Sequence, residues 1–178
     1  MRRFTVNCAA AIALVTSTSA FAQDDFEQRL YAQVGDWQVR KLKTPHSGCH
    51  TYRETRTGDL YGMTYGQGRP VMLSFAVANV ASKGRSRREF EVRFVPRDSP
   101  QERSWGEYDF EAVGVETGGT IYLSELLAAT FLDAFAANGA LRIYADGKLF
   151  TTLSLDGAEP AIAKLRECAA AVAVSPAS

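Results

Sequence analysis

Residues 141–155, LRIYADGKLFTTLSL, decide the fold, because two alternating runs flank the dipeptide Asp146-Gly147. A two-residue Asp-Gly link between such runs is the strongest short-range signal for a β-hairpin. A further run, EFEVRF at residues 89–94, alternates charged and apolar side chains. That pattern is typical of an antiparallel strand with one face in solvent. Both stretches predict a mainly β protein.

The rest of the chain extends this prediction to an antiparallel β-sandwich. Seven to nine short strands are expected between turn signals over residues 35–155. One helix is predicted over residues 124–137, where Ser124 would be its N-cap. A second helix should open at Asp156 and carry an apolar face. Two helices toward the C-terminus of a chain of strands favour this architecture. We expect residues 23–33 to be a loose lead-in or a short helical turn.

The N-terminus is typical of a secretory signal peptide. Arg2 and Arg3 form a basic start, residues 8–15 are mainly apolar, and AFA at residues 20–22 matches a signal-peptidase site. The apolar run is too short to span a bilayer. We therefore predict a mature chain that begins at Gln23 and is periplasmic or secreted.

Length and charge limit the organisation of the chain. Residues 1–22 are assigned to the signal peptide, residues 23–172 to a single β-sandwich domain, and residues 173–178 to a disordered tail. The full chain has 20 basic and 20 acidic residues, and loss of the signal peptide removes two arginines. Without a basic excess, no nucleic acid is expected as a partner. No other apolar run is long enough for a transmembrane segment in the mature chain.

Two cysteines remain after processing. Cys8 leaves with the signal peptide, so Cys49 and Cys168 are the only thiols of the mature protein. In an oxidising compartment they allow one intramolecular disulfide. Closure of a loop of this size stabilises a fold by about 4–5 kcal/mol in the chain-entropy model.

The segment HSGCH at residues 46–50 is the most chemically suggestive stretch, since it holds both histidines of the chain. His46, Cys49 and His50 could bind a metal, or a histidine could activate the thiol, as in a small hydrolase. A half-cystine can do neither, and no other histidine can complete a metal site. We favour a disulfide cysteine beside solvated histidines, and expect no catalytic residue, cofactor or metal.

Seven cations lie within about twenty residues. They are Lys83, Arg85, Arg87, Arg88, Arg93, Arg97 and Arg103. Arg85, Arg87 and Arg88 could contact an anionic surface such as lipid head groups, lipopolysaccharide phosphates or an acidic protein. The favoured interpretation is a solvated turn in which the arginines pair with Glu89, Glu91, Asp98 and Glu102.

Three aromatic residues lie in glycine-rich or loop contexts. Tyr61, Tyr65 and Trp105 could form an exposed binding rim, as at many protein interfaces. Aromatic residues in such places more often close the end of a sandwich. Alternation also places Glu107, Asp109 and Glu111 on the polar face of one strand, so we expect solvent exposure there, without a glycosidase pair.

The two ends of the chain resemble the invasion-associated locus B family. The resemblance rests on GDWQV at residues 35–39 followed by Cys49, and on LSLDG at residues 153–157 followed by an apolar helix with Cys168. It covers about a third of the chain, which lacks the mid-chain cysteines that members tend to carry. The resemblance implies an envelope-associated, non-enzymatic sandwich, linked in some members to host-cell entry, and it supplies no catalytic residues.

Together these observations predict an exported, non-enzymatic binding protein of the bacterial envelope. Its partner would be a protein or another envelope component. One alternative is a secreted inhibitor or immunity-type protein that blocks a lytic enzyme through a rigid loop, which loses little entropy on docking. The other is the small hydrolase or metal-binding protein built on residues 46–50.

Overall fold

The computed structural model describes residues 28–42, 48–55, 58–66, 68–78, 85–115 and 119–174. These residues form ten strands and two helices, in agreement with the predicted mainly β, antiparallel class. The strands are β1 (Gln28–Val34), β2 (Trp37–Leu42), β3 (Gly48–Glu54), β4 (Leu60–Tyr65), β5 (Val71–Ala78), β6 (Arg85–Pro96), β7 (Arg103–Val115), β8 (Gly119–Leu127), β9 (Asn138–Ala145) and β10 (Lys148–Ser154). The helices are α1 (Thr130–Ala137) and α2 (Ala158–Val174).

All ten strands belong to one sheet that curves around an aromatic core. Its strand order is β1-β2-β3-β4-β5-β8-β7-β6-β9-β10, and each neighbouring pair is antiparallel. The Phe75 ring on β5 lies 5.8 Å from the Phe90 ring on β6, although two strands separate them in the sheet. Phe150 on β10 lies 5.2 Å from Phe90. The sheet therefore bends until its halves face each other, which fits the predicted sandwich.

The hairpin predicted at residues 141–155 is confirmed. β9 and β10 pair, and Ala145 lies opposite Lys148 across the turn. Asp146 and Gly147 have φ values of 51° and 70°. Positive φ at both central positions suits the right-handed twist of the paired strands.

The prediction of a loose lead-in or helical turn over residues 23–33 is wrong for the part of it that the structure describes, residues 28–33. Residues 28–34 form the edge strand β1, which pairs with β2 from Val34 opposite Trp37 onward. Gly35 reverses the chain between them with φ of 56°. Most β1 side chains are exposed. This strand is formed by backbone pairing with β2. Because most of its side chains are exposed, its sequence has little apolar alternation by which a strand could be predicted.

The first helix begins later than predicted. Ser124 lies in β8, where it is opposite Leu73 of β5 and Phe110 of β7, and α1 starts at Thr130. Pairing on both sides outweighs the local helical preference of this segment. The buried residues of α1 are Phe131, Leu132 and Phe135.

Helix α2 lies on the inner face of the sheet. It packs mainly against β2 and β3 and contacts α1. Its buried side chains match the predicted apolar face and are Ala158, Ala161, Ile162, Leu165, Cys168 and Ala169. The helix runs two residues into the predicted tail. The predicted signal peptide, His46 and residues 175–178 lie outside the described residues. Among the residues that the structure describes, no helix is long and apolar enough to cross a membrane.

Candidate functional site

The disulfide between Cys49 and Cys168 is present and joins β3 to α2. The two Cα atoms are 6.1 Å apart, and the linked residues are 119 positions apart in the chain. Both cysteines are fully buried. The bond therefore ties the N-terminal part of the sheet to the C-terminal helix from inside the core.

His50 points away from the disulfide. Consecutive strand residues face opposite sides of a sheet, so Cys49 faces α2 and His50 the outer side. Its Nδ1 lies 2.9 Å from Thr64 Oγ1, and its ring stacks on Tyr52. Burial, with the charge of Arg40 adding to it, lowers the pKa of His50 to about 4. The imidazole is therefore neutral at pH 7.

A metal site or a nucleophilic thiol at residues 46–50 would require a free Cys49 thiolate, which the disulfide removes. Cys49 is bonded to Cys168 and cannot act as a ligand or a nucleophile while the disulfide is intact. His50 is engaged with Thr64, and His46 lies outside the described residues. Among the described residues, no group of three or more His, Cys, Asp or Glu side chains is placed to hold a metal ion.

The alternative in which Tyr61 belongs to an exposed aromatic rim is wrong. That residue is only 1% exposed, and its hydroxyl donates a hydrogen bond to the carbonyl oxygen of Ser154. Pairing of β4 with both neighbours turns the ring inward, where its centroid lies 5.6 Å from that of Trp37. Tyr65 and Trp105 are half-buried and pack against the core, and the Trp105 ring is 5.5 Å from Phe94.

A polar cleft lies where β2, β3 and β4 meet the link between β10 and α2. Its volume is about 540 Å³, and its lining residues are Asp36, Gln38, Tyr52, Arg53, Glu54, Thr55, Tyr61 and Ser154. Arg53 donates hydrogen bonds to the Asp156 carbonyl oxygen at 3.2 Å and to Asp36 Oδ2 at 3.0 Å. Trp37 Nε1 donates to the same carbonyl at 2.8 Å. These groups hold the start of α2 against the sheet, so their role is structural.

The three arginines proposed for partner binding do not share one surface. Arg85 and Arg87 are exposed on the outer face, and Arg85 lies 3.5 Å from Glu111. Arg88 points inward, with its guanidinium 5.3 Å from the centroid of the Phe90 ring. It also pairs with Asp146 at 3.1 Å. Strand alternation separates Arg88 from its neighbours, so the alternative in which all three arginines form one binding surface does not include Arg88.

Of the remaining arginines of this region, Arg93 pairs with predicted carboxylates and Arg97 pairs with Glu159, which was not a predicted partner. Arg103 forms no ion pair within the described residues. Arg93 contacts Glu91 at 2.7 Å and Glu102 at 3.2 Å. Glu102 also accepts hydrogen bonds from Tyr144 and Arg142, and these bonds lower its pKa. Two of the predicted carboxylate partners, Glu91 and Glu102, are thus confirmed. Glu89 and Asp98 form no ion pair within the described ranges.

The outer face of the sheet carries a row of aliphatic side chains, which we call the outer row. Leu60, Ala76, Ile121 and Val113 are consecutive cross-strand partners on β4, β5, β8 and β7. Each is half-buried. The residues next to them, such as Phe75 and Tyr122, point into the core, so the outer row faces away from α2.

Val113, at the end of the outer row, lies opposite Arg85 on β6, and a group of carboxylates lies further along β6 and β7, beyond Arg87 and Glu111. Glu89 lies directly opposite Asp109, and Glu91 lies opposite Glu107. In the part of the chain that the structure describes, Glu89, Glu107 and Asp109 are exposed and unpaired; we call these three the acidic strip. A groove of about 370 Å³ runs beside them, lined by Arg87, Glu107, Tyr108, Asp109, Phe110, Glu111 and Leu123.

The sequence predicted part of this surface. Exposure of Glu107 and Asp109 is confirmed, while Glu111 is half-buried. The pairing of β6 with β7, which places Glu89 opposite Asp109 and Glu91 opposite Glu107, was not predicted. Alternating charged and apolar residues in both strands were the signal from which it could have been found. No protein-family model, curated protein or solved structure matches this chain.

Proposed function

We propose that this chain is an exported, non-enzymatic binding protein of the bacterial envelope. The observation that carries the proposal is the buried Cys49–Cys168 disulfide. Structural disulfides persist in oxidising compartments and are rare in the cytosol. The signal-peptide pattern of the first 22 residues leads to the same compartment.

Binding is the activity that the described surfaces support best. Several polar groups of the cleft are engaged within the chain: Arg53 donates to the Asp156 carbonyl oxygen and to Asp36, and Tyr52 donates to Gln38. The half-buried outer row and the exposed acidic strip lie on the outer face, where within the described residues neither helix covers the row and no cation pairs with the strip. A sheet held by paired strands loses little conformational entropy when a partner docks on it.

Kinship with the invasion-associated locus B family is part of the same proposal. It rests on the Trp37 strand and on the Cys168 helix, which the disulfide brings together through Cys49. Membership would place the partner in the envelope or on a host cell.

Processing and thiol chemistry test the proposal in one sample. The full chain is expressed in a Gram-negative bacterium, fractionated, and analysed by intact mass with thiol titration under denaturing conditions. We expect a periplasmic or secreted product that begins at Gln23 and has no free thiol. A chain expressed without residues 1–22 is the control and should remain cytosolic with two free thiols. Recovery of the full chain from the cytosol with its leader intact would contradict the proposal.

A further inference from the structure

We infer that the outer face of the sheet docks a cationic segment of a protein partner, one that presents aliphatic side chains flanked by lysine or arginine. The inference rests on the proposed function and names the chemistry of the partner. The docking surface consists of the outer row, the acidic strip and Leu123, which forms part of the groove between them.

The outer row supplies the apolar part of the contact. Four aliphatic or small side chains on four adjacent strands follow one another in register. In the described structure both helices pack on the inner side, and α2 contacts β1 to β4 there. The row is therefore an unpartnered apolar stripe, and coverage by aliphatic side chains would remove it from water.

The acidic strip defines the charge of the occupant. Like charges directly opposite each other on neighbouring strands destabilise a sheet, and two such pairs occupy successive positions on β6 and β7. Arg93 and Ser104 hydrogen-bond Glu91, and within the described residues Glu89, Glu107 and Asp109 form no ion pair, although Arg87 lies beside the last two in the groove. A lysine or arginine above the strip would relieve this repulsion, and charge complementarity of this kind gives an interface its specificity.

An anionic membrane surface fits this face poorly. Among the cations of this face in the described residues, Arg85 is paired with Glu111 and Arg93 with Glu91 and Glu102, and the acidic strip beside Arg87 would repel lipid phosphates. Exposed charges of one sign attract partners of the other sign in a salt-dependent way. The carboxylates therefore favour a cationic protein segment over a lipid headgroup.

A defined peptide tests the inference on the folded, oxidised mature protein. The probe is a fluorescent heptapeptide with three central leucines flanked on each side by two lysines, so that one face of the extended peptide carries both residue types. Its binding is read by anisotropy at 50 and 300 mM salt. A glutamate–leucine peptide and vesicles with anionic lipid are the competing probes. We expect the lysine–leucine peptide alone to bind, and binding to weaken several-fold at the higher salt.

Two variants locate the binding surface. Glu107→Gln combined with Asp109→Asn should weaken peptide binding about tenfold, and Ile121→Thr, which keeps the β-branched shape, should weaken it several-fold. Asp98→Asn is the matched control, because Asp98 is an exposed, unpaired carboxylate in the turn after β6. Circular dichroism and thermal unfolding establish that each variant is folded.

The outcomes separate this inference from the proposed function. Equal binding by the control and both variants would overturn the docking surface, as would weakening by the carboxylate variant alone, since the outer row would then play no part. Preferential binding of anionic vesicles would also overturn it. None of these results depends on export or processing, so the proposed function fails only through its own experiment.

Discussion

At the scale of single residues, the side of the strand on which a residue falls decides its role. Cys49 faces α2 and forms the disulfide, whereas His50, the next residue, faces outward and bonds Thr64. Arg87 and Arg88 divide in the same way between solvent and the aromatic core. Residues that are adjacent in the sequence of a strand therefore lie on opposite faces of the sheet and belong to different sites.

From the lowered pKa of His50 we expect the free energy of unfolding to decrease in mild acid. The pKa of this histidine in the folded state is about 4, below the value near 6.5 expected when unfolded. The unfolded chain therefore binds an extra proton between these values, and the free energy of unfolding falls as pH drops from 7 to 4. Urea denaturation at pH 7.5 and 4.5 measures this fall.

The matched variant for this prediction is His50→Gln, which keeps a hydrogen-bonding side chain beside Thr64 but does not titrate. Its stability should depend less on pH across the same interval. An identical pH dependence in the variant and the wild type would show that other groups are responsible.

Gly62 is required by the close approach of β3 and β4. A Cβ atom at this position would overlap the carbonyl oxygen of Thr51 and lie 2.7 Å from Tyr52 Cα, both of them backbone atoms. Gly62→Ala should reduce the free energy of unfolding by about 2–3 kcal/mol, the upper part of the 1–3 kcal/mol range typical of overpacked sites. Gly35→Ala is the comparison, because it meets no atom within 4 Å and costs about 1 kcal/mol through its positive φ. Chemical denaturation of both variants measures the difference, and equal losses would refute the steric argument.

At the scale of elements, the link between β10 and α2 is held by side chains from the opposite end of the chain. Trp37 and Arg53 donate to the carbonyl oxygen of Asp156, and the Tyr61 hydroxyl donates to that of Ser154. These bonds satisfy carbonyl groups in a segment that leaves the sheet and enters the helix. Partners over 90 residues away thus fix where α2 starts.

Tyr61→Phe isolates one of these bonds without changing the packing of the ring. Loss of the hydroxyl removes the bond to Ser154 and should lower the free energy of unfolding by about 1 kcal/mol. Tyr65→Phe is the control, since its half-buried hydroxyl forms no hydrogen bond within the described residues. A destabilisation no larger than that of the control would show that the bond contributes nothing.

At the scale of the whole molecule, one curved sheet brings its two halves together, and the disulfide links strands near the N-terminus to the last helix. Phe75 contacts the rings of Phe90 and Phe110, although β5 and β6 are not neighbours in the sheet. Every part of the fold thus depends on contacts between distant segments. We expect unfolding to be a single cooperative transition.

Reduction of the disulfide tests this dependence. It should lower the free energy of unfolding by about 4 kcal/mol, because the reduced unfolded chain regains the freedom of a loop with a sequence separation of 119. Urea titrations with and without reductant measure the change. The double variant Cys49→Ala, Cys168→Ala should have the same urea midpoint with and without reductant. An unchanged wild-type midpoint under full reduction would contradict the prediction.

The sequence alone determined the class of the fold and, with Cys8 assigned to the predicted signal peptide, it predicted the disulfide that the structure contains. Alternation, the Asp146-Gly147 turn and the apolar face of α2 are local signals, and two remaining cysteines allow one pairing. The tertiary structure decided the rest. Strand β1, the strand conformation of Ser124 and the opposed carboxylates all arise from pairing with residues far away in the chain. Local patterns cannot reveal them, because a register between distant strands is set only when the sheet closes.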